Sequence, residues 1–323
     1  MGKNKSENQD SFFINTEKGV FIIADGMSGW NGKNASKTAV KTISNLLQER
    51  LNSSMNNDEI ECVLNESLEQ ARNEVTSLQE KSGTTIDIGI LHNDTFHLAH
   101  IGDSRVYILY NNERLAQISD DMAKPQSSYQ GRKPQNEIEK KILALTNSFM
   151  PSNWIGHHES QYDNTVQFEH IPLVDVRRIL MTTDGLIDLT LDNEIREALL
   201  IENLEDVSCR LQSYIMEPDT ISTTFITHLP FFLDNHLRAK SILCMLNPIF
   251  KLYSGDPNIG KMRDYCKKNT IPDSGYKNFI LDYINTFPHI KDYFLTYINN
   301  LLSYCDDTTF IVIEPKRQKH HLY

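Results

Sequence analysis

The sequence predicts an α+β layered fold with mostly antiparallel sheets, and three observations predict it. Apolar residues recur at helical period in two long early segments. Short β-branched runs joined by hairpin-type turns follow them. Strands and helix pairs then come in blocks rather than in strict alternation. At 323 residues the chain has room for one large domain, or for a domain with a smaller one embedded.

The elements read in order. "GVFIIADG" (19–26) is a short apolar run bounded by turns, a buried strand. From Asn34 a helix places Ala35, Ala39, Ile43, Leu46 and Leu47 on one face. A second helix after Asn57-Asp58 carries Ile60, Val63, Leu64, Leu68, Ala71, Val75 and Leu78 at the same period. "TTIDIGIL", "TFHLAHIG", "RVYILY" and "RLAQIS" then read as strands, with Asn93-Asp94 and Asn111-Asn112 as hairpin turns. "QFEHIPL" and "RRILMTTDG" are two more strands, a helical stretch runs from about Asp192 to Met216, and "TTFIVIE" closes the fold. Residues 223–304 differ in character. Between Phe225 and Tyr304 lie 14 Phe and Tyr residues, with Tyr276, Phe279, Ile280, Tyr283, Ile284 and Phe287 in one helical stripe and a second stripe after Pro288. That segment reads as a folded helical insertion, its stripes a packed core.

Composition excludes several function classes. A net charge of −11 lacks the basic footprint of a general nucleic-acid binder. Five scattered cysteines without C-x-x-C spacing fit reduced thiols in a cytoplasmic setting better than a disulfide framework or a zinc site. The N-terminal "MGKNKSENQD" is not a secretory signal, and no apolar stretch is long enough to span a bilayer. The glycines of "DGMSGWNGKNAS" do not make a P-loop: Met27 stands where the first Gly is needed and Asn34 where the hydroxyl is needed.

Acids stand at the ends of several apolar runs: Asp25 in "ADG", Asp184 in "TTDG", Asp10 in "NQD" and Asp306 in "DDTT". One Asp-Gly is a turn. Carboxylates that converge in a poorly hydrated cleft raise one another's pKa and call for a hard divalent cation such as Mg2+ or Mn2+. A Gly after the Asp lets a backbone carbonyl approach such an ion.

"NQDSFF", "FIIADGMSGWNGKNAS", "SGTTIDIGI", "LAHIGDSRVYIL", "ILMTTDGLID" and "DDTTFIVIE" resemble, in order, the motifs of the metal-dependent protein phosphatases. This is the type-2C serine/threonine family, and "ADGM" resembles its bacterial-style branch. The resemblance implies a β-sandwich of two antiparallel sheets flanked by helix pairs, here with an α-helical insertion before the last strand. It divides the chain into a catalytic domain, 1–222 and 305–323, and the insertion 223–304. It implies hydrolysis of phosphoserine or phosphothreonine in a phosphoprotein substrate by water activated at two Mg2+ or Mn2+ ions, without a covalent phospho-enzyme. Asp25 would bridge the ions, the Gly26 carbonyl would join them, Asp184 and Asp306 would complete the site, and Asp10 would act directly or through water. Asp307 would take the family's Asn position, Asp121 in "ISDDM" would serve a third, weaker ion, and Asp103 would buttress the site. His97 and His100 read as hydrogen-bonded histidines rather than ligands.

The chain departs from the family pattern in four places. Lys5 replaces the Arg that clamps the substrate phosphate, so a point charge replaces a bidentate fork. Met27 occupies the place of a His proposed as general acid in eukaryotic relatives. The chain begins almost at the first motif, so the strand that usually precedes it is expected to be missing or truncated. Asp184 and Asp306 are 122 residues apart, and the insertion supplies the surplus, with substrate access or a docked protein partner as its expected role. The alternative to an enzyme is a pseudophosphatase that uses the fold as a binding module; four acids at strand ends argue against it.

Overall fold

The computed structural model describes residues 7–27, 31–78, 81–124, 150–156, 165–187, 190–216, 255–257, 259–261 and 307–315. The chain divides into two compact units. The first comprises Met1–Lys124, Met150–Ile215 and Asp306–Tyr323; the second comprises Pro125–Phe149 and Met216–Cys305. Most of the second unit, including nearly all of the expected insertion 223–304, lies outside the described residues. Within it, one helical turn has the Gly260 amide donating to the Asp256 carbonyl at 2.9 Å. Lys5 and Asp306 also lie outside the described residues.

In the first unit two antiparallel sheets stack. β1 (Ser11–Asn15), β2 (Val20–Ala24), β4 (Ile86–His92), β5 (Thr95–Ile101) and β11 (Gln167–Pro172) form a five-stranded sheet in the order β1-β2-β4-β5-β11. β6 (Arg105–Tyr110), β7 (Leu115–Gln117), β12 (Val176–Thr182) and β13 (Phe310–Ile313) form a four-stranded sheet in the order β13-β12-β6-β7. Two-residue pairings, β3 (Gly83–Thr84) with β10 (Ile155–Gly156) and β8 (Ala123–Lys124) with β9 (Met150–Pro151), complete the strands among the described residues.

Helices cover both outer faces. α1 (Gly32–Arg50) and α2 (Asn57–Thr76) lie on the five-stranded sheet, where Ile22, Ile86, Ile88 and Ala99 pack with Ala39, Ile43, Leu64 and Leu68. α2 starts at a reciprocal cap: Asn56 accepts from the Glu59 amide at 3.0 Å, and Glu59 accepts from the Asn56 amide at 2.8 Å. On the other side a single turn, α3 (Asp184–Ile187), precedes α4 (Asp192–Leu200) and α5 (Leu204–Met216). There Tyr107, Leu109 and Leu180 pack with Ile195, Leu199, Val207 and Leu211. Between the sheets Phe21, Ile23, Phe96, Leu98, Ile108, Ile179, Met181 and Ile311 form the central core. Both faces of both sheets are therefore covered, which explains why β2 is buried at every residue rather than alternating. Asn93 and Asp94 both adopt positive φ, the type I′ geometry that matches the twist of a two-residue hairpin. Among the described residues no helix is long and apolar enough to cross a membrane.

Candidate active site

Strand register brings the sequence's acids to one end of the sandwich. Ser11 pairs with Ala24, so Asp10 and Asp25 leave β1 and β2 side by side. Thr182 pairs with both Phe310 and Arg105, so Asp184 follows β12 where β13 and β6 begin. Hydrogen bonds join the sheets there: the Gln9 amide donates to Asp307 Oδ2 at 2.8 Å, and Thr183 Oγ1 donates to Asp10 Oδ2 at 3.0 Å.

Close backbone packing sets the glycine of each Asp-Gly. The Asp25 amide donates to Thr85 Oγ1 at 3.1 Å, and its carbonyl accepts from the Thr85 amide at 2.9 Å and from Thr84 Oγ1 at 2.7 Å. The residue is fixed by its backbone, and its buried carboxylate lies beside Asp184 and Asp10. A Cβ on Gly26 would lie 2.4 Å from the Gly32 carbonyl carbon and 2.5 Å from the Gln9 oxygen, so only glycine lets these chains cross. Gly185 repeats this, since a Cβ there would lie 2.3 Å from the Asp307 oxygen. The bare Cα at both places serves close backbone packing beside the carboxylate.

The electrostatics are those of crowded acids. Burial, then the charges of Asp184 and Asp10, a hydrogen bond with Asp184 and the charge of Asp103 hold Asp25 well above the usual carboxylate range. Asp10 is raised to about 6, by burial first and by the charges of Asp184 and Asp307, against the opposing bonds from Thr309 and Thr183. Asp10 Oδ1 is buried without a hydrogen-bond partner. An orphaned carboxylate oxygen among mutually repelling acids is what a bound cation would relieve. The donors are carboxylates, backbone carbonyls and hydroxyls, which suit a hard divalent ion. Among the described residues no three His, Cys, Asp or Glu side chains form a ready ligand set by themselves.

Asp10, Asp25 and Asp184 are thus brought together, with Asp103 and Asp307 acting on them electrostatically. The carboxylate of Asp121 is bound by Arg105. His97 and His100 are buried and hydrogen-bonded, to His170 at 2.8 Å and to Asp87 at 2.5 Å respectively. Met27 packs with Trp154 around Gly83, and its amide donates to the Gly83 carbonyl at 3.0 Å. Sequence reasoning missed the threonines. Thr84, Thr85, Thr183 and Thr309 supply the hydroxyls that orient Asp25 and Asp10, and the doubled Thr in "SGTT", "MTTDG" and "DDTTF" was the available signal.

A sequence profile described as Protein phosphatase 2C matches residues 2–219. A serine/threonine phosphatase stp of Listeria innocua is 30% identical over 130 residues, covering 37% of this chain and 51% of the relative. The corresponding Listeria welshimeri protein is 29% identical over the same length. The chain spans about half the length of these curated relatives, 51%. Among solved structures, the serine/threonine phosphatase Stp1 from Staphylococcus aureus superposes with a TM-score of 0.54 at 20% identity, covering 68% of this chain and 87% of that one. The Mycobacterium tuberculosis serine/threonine phosphatase PstP/Ppp gives 0.50 at 23% identity, covering 66% and 87%. At these identities the likeness is one of fold.

Proposed function

The chain belongs to the protein phosphatase 2C family, and from that premise we propose that it hydrolyses phosphoserine and phosphothreonine in phosphoproteins with two Mg2+ or Mn2+ ions. The observation that carries the reading is the convergence of Asp10, Asp25 and Asp184: the charge of Asp184 raises the proton affinity of Asp10 and Asp25, and the charge of Asp10 raises that of Asp25. A family whose members depend on metal supplies the reason such a cluster would be kept.

Asp25, Asp184 and Asp306 would hold the ions, with the Gly26 carbonyl beside them and Asp10 contributing directly or through water. Bound there, the ions would polarise a phosphoryl oxygen and lower the pKa of water at neutral pH. The chain's own contribution is orientation. Thr84 and Thr85 fix the Asp25 backbone, and Thr183 fixes the Asp10 carboxylate against the second sheet. Lys5 would neutralise the substrate phosphate as a point charge. Met27 is a packed thioether without a proton to give, so the leaving alkoxide would take its proton from solvent. No cysteine stands in a nucleophile motif, in keeping with direct attack by water.

The test is hydrolysis of a phosphothreonine peptide with added Mn2+ by the wild type, Asp25→Asn and Asp184→Asn. Metal-dependent turnover by the wild type and its loss by roughly a thousandfold in each variant is expected. Full activity in chelator, or activity indifferent to both substitutions, would reject the reading. An inert wild type would favour a pseudophosphatase.

A further inference from the structure

The loop Ser119–Met122 carries Asp121, the residue that the family resemblance aligns with a third ion. Resting on the phosphatase reading above, we propose that Asp121 anchors this loop to β6 through Arg105 and is not a metal ligand in this protein.

The geometry is a bidentate fork. Arg105 Nε donates to Asp121 Oδ1 at 2.8 Å and Nη2 donates to Oδ2 at 2.6 Å. Gln117 Nε2 adds a bond to Oδ1 at 2.8 Å. Both carboxylate oxygens are therefore occupied by cationic or neutral donors. A cation approaching Asp121 would have to displace a guanidinium that is itself built into the fold. Arg105 Nη1 donates to the Tyr107 hydroxyl at 3.1 Å, and that hydroxyl donates to Asp192 Oδ1 at 3.0 Å, at the first turn of α4. Burial alone would weaken the protonated guanidinium, but its bonds to Asp121 and Tyr107 outweigh that and raise its proton affinity. Removing Asp121 from the fork would strand this charge.

The loop's backbone is fastened along its length, which a mobile ligand loop would not need. The Ile118 amide donates to the Val106 carbonyl at 2.8 Å, and Ser119 Oγ accepts from the Val106 amide at 2.9 Å. The Asp120 amide donates to Gln167 Oε1 at 2.7 Å, and the Asp120 carbonyl accepts from His100 Nε2 at 2.9 Å. The Met122 amide donates to the Gly102 carbonyl at 2.8 Å. The fork on Asp121 closes this series by tying its side chain to β6 as well. A third ion would therefore require other ligands.

The experiment combines metal counting with a double-mutant cycle on the full chain. Bound Mn2+ per chain is measured by equilibrium dialysis for wild type, Asp121→Asn and, as the matched neighbour, Asp120→Asn. Melting temperatures in chelator are measured for wild type, Arg105→Gln, Asp121→Asn and the double variant. We expect Asp121→Asn to bind as many Mn2+ ions as wild type. We also expect each single substitution to lower the melting temperature, and the double variant to melt no lower than the weaker single. Loss of one Mn2+ equivalent in Asp121→Asn, or additive losses in the cycle, would overturn the proposal. A wild type that binds no Mn2+ would sink the binuclear reading instead, and the cycle would still decide whether Arg105 and Asp121 act as one unit.

Discussion

Asp25, at the end of β2, and Asp87, inside β4, are both buried acids of the five-stranded sheet, and their surroundings are opposite. Asp87 shares its site with His100, whose Nδ1 lies 2.5 Å from Asp87 Oδ1 while its Nε2 donates to the Asp120 carbonyl. With a hydrogen on each ring nitrogen the imidazole is a cation. Burial opposes that charge, and Asp87 overcomes the burial and raises the pKa of His100. Asp25 instead faces Asp184, Asp10 and Asp103, which increase the cost of its own charge. One acid is matched by an opposite charge, and the other is set among like charges. Burial is common to the two acids, and the sign of the neighbouring charge is what sets them apart.

The largest effect should come from breaking the matched pair. Replacing Asp87 by Leu leaves a buried imidazolium without its counter-charge, and replacing His100 by Leu leaves the carboxylate stranded. Removal of one partner of a buried pair costs about 3–5 kcal/mol. Urea denaturation of each variant measures it, and Asp87→Leu/His100→Leu should recover much of the loss, because two apolar side chains can share the inter-sheet core. A loss in the double variant as large as the sum of the singles would mean that these residues do not act as a pair.

The unmatched acid should respond with the opposite sign. In chelator, Asp25→Asn removes a charge that Asp184 and Asp10 repel, so the metal-free protein should gain roughly 1 kcal/mol, read as a melting temperature about 2–4 °C higher. If Asp25 holds the ion as proposed, saturating Mn2+ should reverse the order, since the wild type alone keeps that carboxylate and is stabilised by mass action. A variant less stable than wild type in chelator as well would place Asp25 with Asp87, as a structural acid.

The same contrast shows what was legible in the sequence. Asp25 and Asp184 stood out because each ends an apolar run and is followed by Gly, a pattern visible in one dimension. The long helices and hairpins were legible from periodicity, since α1 and α2 each bury one clear face. Asp87 was not legible. Its register partner is His100, and both point into the space between the sheets, whereas Ile86, Ile88 and Ile90 point toward α1 and α2. Alternation alone makes Asp87 a solvent-facing residue of a half-buried strand, and only stacking a second sheet on that face buries it. The pairings β3 with β10 and β8 with β9 are two residues long, too short to carry a period. The threonine hydroxyls that orient Asp10 and Asp25 come from segments far apart in sequence, so the doubled Thr marks the residues, and only the register of the sheets brings them to the acids.

The finest test of the contrast is the pH dependence of melting, because the two kinds of site titrate in different windows, and His97 supplies a buried group of opposite sign as a control. Asp10 has its pKa raised from 3.8 to about 6, so the folded protein binds that proton more tightly than the unfolded chain does. Its contribution is fully present below about pH 4 and is lost as pH rises through 6. His100 is raised from 6.5, so its contribution is present below 6.5 and is lost only as pH rises through its folded value. His97 runs the other way. Burial first, then the rings of His170 and His92, lower it from 6.5 to about 4, so stability is lost as pH falls across that window. In chelator, raising the pH from 5 to 7 should therefore cost the wild type less than it costs His97→Leu, which lacks the offsetting gain. Mn2+ should remove the part due to Asp10 and leave the parts due to His97 and His100 in place, since only Asp10 is expected to meet the ion. A melting profile that Mn2+ shifts equally at every pH would show that the acids at the sheet ends are not the site it binds.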